Sequence, residues 1–306
     1  MPKITVFTPT YNRAYILPQL YNSLSCQTSN DFEWVIVDDG SSDNTSELLC
    51  DWERSAKFPI KWQTQSNQGK HIAINKGVSM ASGELFFIVD SDDYLTNDAI
   101  EKVIKFWESE FRSDDISGII GYRSFAPNKL VGTPLPPDIK QCKLRDTGRK
   151  YNSFGDKVVI YRTSILQKFP FPKFGNERFL GESYVYNQID DLYDMAVMND
   201  CVYMFQYQND GLSQDFRKLY RNNPMGFLAY AVQQLKYEDS IRARIKLQAN
   251  IQSLALRTHN FRVWLRSFCS MTGILASLPS LYLYYRIFIQ KVSDVKPYEA
   301  STKINH

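Results

Sequence analysis

Three acidic residues follow a hydrophobic run in the segment FFIVDSDDYL, residues 86–95. They are Asp90, Asp92 and Asp93, and the apolar residues before them predict a buried strand that ends at this point. Like charges this close repel one another unless a cation or hydrogen bonds offset the repulsion. The spacing therefore indicates a site for a divalent cation or, as the structural alternative, a turn that caps the next helix.

Strand and helix patterns alternate through the first half of the chain. The predicted strands are KITVFT (3–8), FEWVIVD (32–38), IKWQTQ (60–65), ELFFIVD (84–90) and ISGIIGY (116–122), with helical patterns between them. This alternation predicts parallel βαβ units and an α/β fold, in which helices flank a mostly parallel central sheet. The Pro- and Gly-rich residues from about 127 to 155 predict a loop or crossover segment, mobile near the site.

Polar clusters follow three of the predicted strands. They are Thr8-Pro9-Thr10, Asp38-Asp39-Gly40 and Asp90-Ser91-Asp92. The carboxyl ends of parallel strands share one edge of a sheet, where ligands bind. We therefore expect the three clusters to converge on one site.

Several enzyme classes are disfavoured by the sequence. It has no Gly-x-Gly-x-x-Gly after the first strand, no P-loop motif and no Gly-x-Ser-x-Gly elbow. Hydrophobic residues make up 43% and charged residues 23%, as in a globular protein. Five scattered cysteines favour a reducing compartment, three histidines argue against a His-rich metal site, and we expect no secretory signal at the start MPKITVF.

Four ordered motifs give the sequence a family resemblance. VFTPTYNR, VIVDDGSSDNT, NQGKHIAINKGVSMASGE and FFIVDSDD occur in this order within residues 1–125. The set resembles the family 2 glycosyltransferases, which are inverting enzymes with the GT-A fold. The resemblance implies a nucleotide-sugar-binding and catalytic domain over 1–210, and we expect a helical, basic region over 211–306.

The resemblance also implies a donor site. Its residues would be Thr8, Pro9, Tyr11, Arg13, Asp38, Asp39, Lys70, Asp90 and Ser91. Asp38 and Asp39 would hold the nucleobase and ribose, although an Asp-Gly-Ser turn with helix capping would also explain them. Arg13 and Lys70 would approach the diphosphate.

A divalent cation, Mn²⁺ or Mg²⁺, is implied by the Asp-x-Asp element. Such cations bind through one or two carboxylates together with substrate phosphates. Asp92 would be the direct metal ligand. Asp90 would contact the metal, directly or through water, or the ribose, and Asp93 would support the pair.

The catalytic base is harder to assign, because the family's usual Glu-Asp pair reads Glu182-Ser183 here. Glu182 is the best candidate, since it follows a glycine and precedes a helical pattern. Glu177 and Asp191 are competitors. The structural alternative for Glu182 is a favourable charge at a helix N-terminus.

The C-terminal third is basic. Residues 211–306 hold 14 Lys and Arg against five Asp and Glu, a balance of +9, which suggests a membrane or nucleic acid as partner, or simply solvated helix faces. Ser267 to Tyr285 carries no charge over 19 residues. This segment predicts a helical hairpin on a membrane surface, a buried helix pair or a membrane span.

The function expected from these features is transfer of a sugar, by inversion, from a nucleotide-diphosphate donor, most simply a UDP-sugar. The acceptor would be a glycan or lipid-linked hydroxyl in cell-surface or capsular polysaccharide synthesis, with residues 207–218 on the acceptor side. We expect a cytoplasmic protein that is bound peripherally to the inner face of the cell membrane. We expect no nucleic-acid partner, and the sequence does not decide whether the protein is a homo-oligomer. The alternatives are a metal-dependent nucleotidyltransferase and a non-catalytic glycan-binding protein on the same fold.

Overall fold

The structure is a computed structural model that describes residues 1–110, 113–126, 129–205 and 216–290. The chain divides into two compact units between residues 214 and 215. The predicted residues 207–218 fall largely outside the described ranges, so the proposed acceptor side stays a prediction.

Ten strands form one sheet in the described residues of the first unit. The strands are β1 (Ile4–Thr10), β2 (Phe32–Asp38), β3 (Ile60–Thr64), β4 (Leu85–Ile88), β5 (Tyr94–Leu95), β6 (Ile116–Ala126), β7 (Lys129–Leu130), β8 (Gln141–Cys142), β9 (Lys157–Arg162) and β10 (Asp194–Met204). The main order is β3-β2-β1-β4-β9-β6-β10-β5. The four strands from β3 to β4 are parallel, as are β6 and β10, while β9 is antiparallel to both of its neighbours.

Helices cover both faces of this sheet. In the first unit they are α1 (Leu17–Ser25), α2 (Thr45–Ser55), α3 (Lys70–Met80), α4 (Ala99–Glu110), α5 (Asp146–Arg149), α6 (Thr163–Lys168) and α7 (Ser183–Asp190). The predicted alternation of parallel strands and helices is confirmed. The segment expected to be a loop from 127 to 155 includes two short strands and one short helix in its described part.

Two hydrophobic layers enclose the sheet, and strand β1 contributes to both. Ile4 and Val6 pack into one layer, and Phe7 packs into the other, where it stacks on Phe86 with ring centroids 5.0 Å apart. Successive strand residues point to opposite faces, so a strand covered on both faces is apolar throughout. This explains why β1, β2 and β4 are mostly apolar, whereas β3, at the end of the strand order, is partly exposed.

The second unit is helical over its described residues. It contains α8 (Phe216–Asn222), α9 (Pro224–Gln234), α10 (Ile241–Arg257), α11 (Phe261–Ser267), α12 (Met271–Leu275), α13 (Ser277–Tyr284) and a π-helical turn over Tyr285–Ile289. Its core includes Tyr220, Leu228 and Leu254. Among the described helices, none has the length and apolar character needed to cross a bilayer.

Candidate active site

The carboxyl ends of β1 and β2 lie side by side at one edge of the sheet. Thr10 is paired with Asp38, and the Asp39 amide donates a hydrogen bond of 2.8 Å to the Thr10 carbonyl. β4 lies parallel to β1 on its other side, and it leads into Asp90. The prediction that three polar clusters share one edge is therefore confirmed.

Asp38 is fully buried and organises the turn after β2. Its carboxylate accepts hydrogen bonds from the amide of Ser41, at 3.0 Å, and from the Ser41 hydroxyl. The same serine hydroxyl accepts the Asn12 amide at 2.8 Å. These bonds tie the loop after β1 to the loop after β2, so the turn-forming alternative for Asp38 is present in the structure.

Asp39 is also buried, and it holds the loop that leads into α3. Its carboxylate accepts hydrogen bonds from the side chain of Gln65 at 2.7 Å and from the amides of Gln68 and Gly69, both at 2.8 Å. Lys70 is the next residue and the first of α3. Whatever it contacts in a nucleotide, Asp39 thus fixes the backbone that presents Lys70.

The other residues expected from the first strand lie in different environments. The Thr8 hydroxyl is buried and accepts the indole N–H of Trp34 at 3.0 Å. Pro9 is partly buried, and Tyr11 is exposed just beyond the strand. Tyr11 is therefore the most accessible of Thr8, Pro9 and Tyr11. A contact between any of the three and a nucleotide stays a prediction.

Lys70 joins two carboxylates that come from distant parts of the chain. Its Nζ lies 2.6 Å from Asp90 Oδ1 and 2.8 Å from Glu182 Oε1. Burial by itself would lower the pKa of Lys70, but the two carboxylates outweigh it and raise the pKa. The ammonium is therefore charged, and it places the candidate base beside the Asp-x-Asp element.

Arg123 and Tyr203 complete the cluster, and no motif in the sequence pointed to either. The guanidinium of Arg123 lies 3.9 Å from Asp90 and 3.7 Å from Asp93, and it stacks 4.4 Å from the centre of the Tyr203 ring. The Tyr203 hydroxyl donates to Asp93 at 2.7 Å and accepts the Asp90 amide at 3.0 Å. Burial would raise the pKa of Asp90, but Lys70 and Arg123 outweigh it and lower the pKa.

Asp92 is the acid whose charge is least compensated. Its nearest cation is Arg13, 4.0 Å away. Burial and the charge of Asp90 raise the pKa of Asp92. Ser91, between the two aspartates, is buried. An under-compensated carboxylate favours a bound cation, so this donor set fits a divalent metal.

The metal would need ligands from its substrate as well. Within the described ranges, no group of three or more His, Cys, Asp or Glu side chains is placed to hold a metal ion. Asp92, the Asp90 carboxylate and diphosphate oxygens together would meet the preference of Mg²⁺ for one or two carboxylates plus phosphates.

Comparison with known proteins identifies the family. A model of glycosyl transferase family 2 matches residues 5–165, more than half of the chain. The chain belongs to glycosyl transferase family 2. The matched range includes all four motifs, the last of which contains the acids at 90–93. Glu182 and Tyr203 lie beyond the matched range.

One relative in this family comes from Campylobacter jejuni. It is named GalNAc(5)-diNAcBac-PP-undecaprenol beta-1,3-glucosyltransferase, and it is 27% identical over 183 residues, 59% of this chain and 57% of the relative. The chain spans about half the length of the curated relatives it matches. The similarity supports the family assignment.

Two solved structures share the fold of this family 2 chain. S. aureus TarS 1–349 in complex with UDP-GlcNAc has a TM-score of 0.55 at 21% identity, with 93% of this chain and 81% of that chain covered. The mannosyltransferase PcManGT of Pyrobaculum calidifontis, in complex with GDP-Man and Mn²⁺, has a TM-score of 0.54 at 16% identity, covering 94% and 82%. The fold is therefore that of the GT-A glycosyltransferases.

The three acids considered as base lie in different surroundings. Glu182 occupies the N-cap position of α7, yet its side chain makes no capping hydrogen bond and contacts Lys70 instead. Asp191 lies at the other end of α7 and pairs with Arg145 at 2.7 Å. Glu182 is linked to the Asp-x-Asp element through Lys70, which also contacts Asp90. The Glu177 amide donates a hydrogen bond of 2.9 Å to the Phe174 carbonyl. The role of Glu182 as the base stays a prediction.

Gly69 fixes the position of the Glu182 segment against α3. Its φ is +91°, and a Cβ atom there would lie 1.8 Å from the Arg178 carbonyl oxygen. We expect Gly69→Ala to push the two segments apart and to lower kcat by about 100-fold, as a shift of about 1 Å can do. Gly175→Ala is the matched control, because Gly175 also has a positive φ, +54°, but has no atom within 4 Å of an added Cβ.

The measurement is kcat together with thermal unfolding for both glycine variants. Gly175→Ala should cost only the roughly 1–2 kcal/mol of a left-handed residue and keep its activity. Equal losses of activity in the two variants would show that the close approach at Gly69 does not position the site.

Proposed function

We propose that this protein is an inverting glycosyltransferase that moves a sugar from a nucleotide-diphosphate donor, most simply a UDP-sugar, to an acceptor hydroxyl. The observation that carries the proposal is the Lys70 ammonium, which lies between Asp90 and Glu182 at the edge where β1, β2 and β4 end. Membership of glycosyl transferase family 2 supports the reaction class. UDP-GlcNAc and GDP-Man in the fold neighbours support a nucleotide-sugar donor.

The reaction is a single in-line displacement. The acceptor oxygen attacks the anomeric carbon while the bond from that carbon to the diphosphate oxygen breaks, and the electron pair leaves with the diphosphate. Glu182 takes the acceptor proton, so the nucleophile gains charge as the new bond forms. Attack on the face opposite the leaving group inverts the anomeric centre.

Positive charge opposes the charge that develops on the leaving diphosphate. Arg13, next to Asp92, and Lys70, next to Asp90, supply it from the protein. A Mn²⁺ or Mg²⁺ ion held by Asp92, with Asp90, would act as a Lewis acid when bound. Asp38 and Asp39 would contact the nucleobase and ribose at the end of β2.

The direct test is product analysis with purified protein. A panel of UDP- and GDP-sugars with Mn²⁺ should give a nucleoside diphosphate and a glycoside of inverted configuration, detected by mass spectrometry and by the anomeric coupling in NMR. Pyrophosphate release from a nucleoside triphosphate, with no sugar transfer, would contradict the proposal in favour of a nucleotidyltransferase.

A lipid-linked acceptor, and with it a role in cell-surface polysaccharide synthesis, rests on the second unit. Helices α12 and α13 bury small residues, Gly273, Ala276 and Ser280, while the Gln252 amide donates to the Gly273 carbonyl at 2.7 Å. Their large apolar side chains are exposed instead. This apolar face consists of Met271, Ile274, Leu275, Leu278, Leu281, Tyr282, Tyr285 and Ile289.

We assign the apolar face to the surface of an anionic membrane. Leu278 is 80% exposed and Met271 78% exposed, which is costly in water for side chains of this type. Exposed Arg262, Arg266 and Arg286 on the same unit would attract anionic headgroups. The undecaprenol in the name of the Campylobacter relative supports an acceptor at such a surface.

The membrane assignment predicts the behaviour of a charged variant. We expect Leu278→Glu with Leu281→Glu to weaken binding to phosphatidylglycerol vesicles at least about 10-fold, since two apolar side chains no longer enter the interface. Co-sedimentation measures binding, and wild-type binding should fall with added salt. Leu192→Glu, an exposed leucine in the first unit, is the matched control.

Two outcomes would contradict the membrane assignment. One is equal vesicle binding by the charged variant and the wild type. The other is a wild-type dimer in solution that the two Leu278 and Leu281 substitutions dissociate, since the apolar face would then join two copies of the chain.

A further inference from the structure

The contacts of Glu182 set it apart from an ordinary exposed acid. Its side chain is one-third exposed, which leaves room for an acceptor hydroxyl to approach it. In the part of the chain that the structure describes, its ion-pair partner is Lys70, at 2.8 Å. A glutamate side chain can adopt several rotamers. An ion pair at this distance favours the rotamers that keep the carboxylate next to the lysine.

Lys70 is itself held rigidly. The Asp39 carboxylate binds the two amides just before it, and the Gly69 carbonyl accepts the amides of Ile72 and Ala73 in the first turn of α3. On its other side, the Gly69 Cα packs against the Arg178 backbone. The lysine therefore starts from a backbone position fixed both by β2 and by the segment that leads to Glu182.

The second carboxylate on Lys70 belongs to the donor side of the site. Asp90 lies 2.6 Å from the same ammonium and is held from behind by Arg123 and by the Tyr203 hydroxyl. An ammonium has three N–H donors, so one group can bind both carboxylates at once. A single side chain thus sets the distance between the acid that faces the donor and the acid that faces the acceptor.

We propose that Lys70 is a positioning residue that acts through Glu182, holding the base in line with the donor, in addition to any contact with the diphosphate. This inference rests on the proposed function. It differs from a phosphate-binding role because the effect of removing Lys70 depends on whether Glu182 is present.

A double-mutant cycle tests that dependence. We expect Lys70→Met to lower kcat by about 10- to 100-fold, which is the range of coupling between groups in contact, while the Kd of UDP with Mn²⁺ changes less than about threefold. In the Glu182→Gln background, Lys70→Met should lower kcat by a clearly smaller factor than in the wild type, because the part of its effect that acts through Glu182 is already lost. Lys70→Arg should recover part of the loss, since it keeps the charge.

Lys76→Met is the matched control. Lys76 lies on the same helix and donates to the Thr64 carbonyl at 3.0 Å, on the exposed surface. It should leave kcat unchanged. Circular dichroism melting identifies a variant that fails to fold, and Lys70→Gln, which also removes the charge, then completes the cycle in place of Lys70→Met.

The outcomes separate the two hypotheses. Multiplicative losses in the double variant, or a loss that follows weaker UDP binding, would overturn the role of Lys70 while leaving glycosyl transfer intact. Absence of sugar transfer by the wild type would instead overturn the proposed function.

Discussion

Glu182→Gln should lower kcat by roughly 10²- to 10⁴-fold, the loss typical of a missing general base. Gln is close to Glu in size but cannot accept the acceptor proton. Its amide also cannot form an ion pair with Lys70, which lies 2.8 Å from the carboxylate in the wild type. The measurement is kcat with saturating donor and acceptor, alongside the Kd of UDP with Mn²⁺, which should not change.

Two competing acids provide the controls for this prediction. Glu177→Gln and Asp191→Asn should keep kcat within about threefold of wild type, because Asp191 pairs with Arg145 at the far end of α7. If Glu177→Gln abolished transfer and Glu182→Gln did not, the base would be Glu177, and the ion pair with Lys70 would have another purpose.

Asp92→Asn should have the second large effect, on metal binding as well as on turnover. The burial of Asp92 and its proximity to Asp90 raise its pKa, so a divalent cation would relieve an uncompensated charge there. We expect the substitution to weaken Mn²⁺ affinity about 10- to 100-fold in the presence of UDP, as loss of a metal-site group does. Activity should fall by at least the same factor.

The measurement is a Mn²⁺ titration by electron paramagnetic resonance with UDP present. Asp114→Asn, at a fully exposed carboxylate just before β6, is the matched control and should bind Mn²⁺ like the wild type. Unchanged Mn²⁺ affinity in Asp92→Asn would remove Asp92 from the metal site and place the cation elsewhere.

The early strands and their polar ends could be predicted from the sequence because local pattern and burial agree there. β1, β2 and β4 are buried on both faces and mostly apolar, and the polar residues of the site follow at or just after their last residues. The placement of Asp38, Asp39 and Asp90 at one edge followed from parallel pairing alone.

Arg123 and Tyr203 could not be predicted in this way. Each lies within a strand of 11 residues, β6 or β10, and faces the acids only because β9 runs antiparallel between β4 and β6. Interior strand positions normally indicate packing, and no spacing in the sequence joins residue 123 to residue 203. An arginine within an otherwise apolar strand pattern was the one available signal, since Arg is rarely enclosed in a sheet without a partner.

For Lys70, the sequence predicted one contact and missed another. Its motif predicted a contact with phosphate, whereas the structure adds Glu182, which is 112 positions later in the chain. That contact depends on the close approach of Gly69 to Arg178, which is a property of tertiary packing. The sequence could also not decide the environment of Ser267 to Tyr285, because small and large residues alternate there and only packing on α10 shows which side is exposed.

The most direct measurement is anomalous diffraction from crystals of the protein grown with UDP and Mn²⁺. We expect a manganese peak against the Asp92 carboxylate, with the diphosphate reaching the side of Lys70 and Arg13 and the uracil beside Asp39. Nucleotide bound anywhere other than the edge where β1, β2 and β4 end, or a manganese peak remote from Asp92, would contradict the proposed donor site.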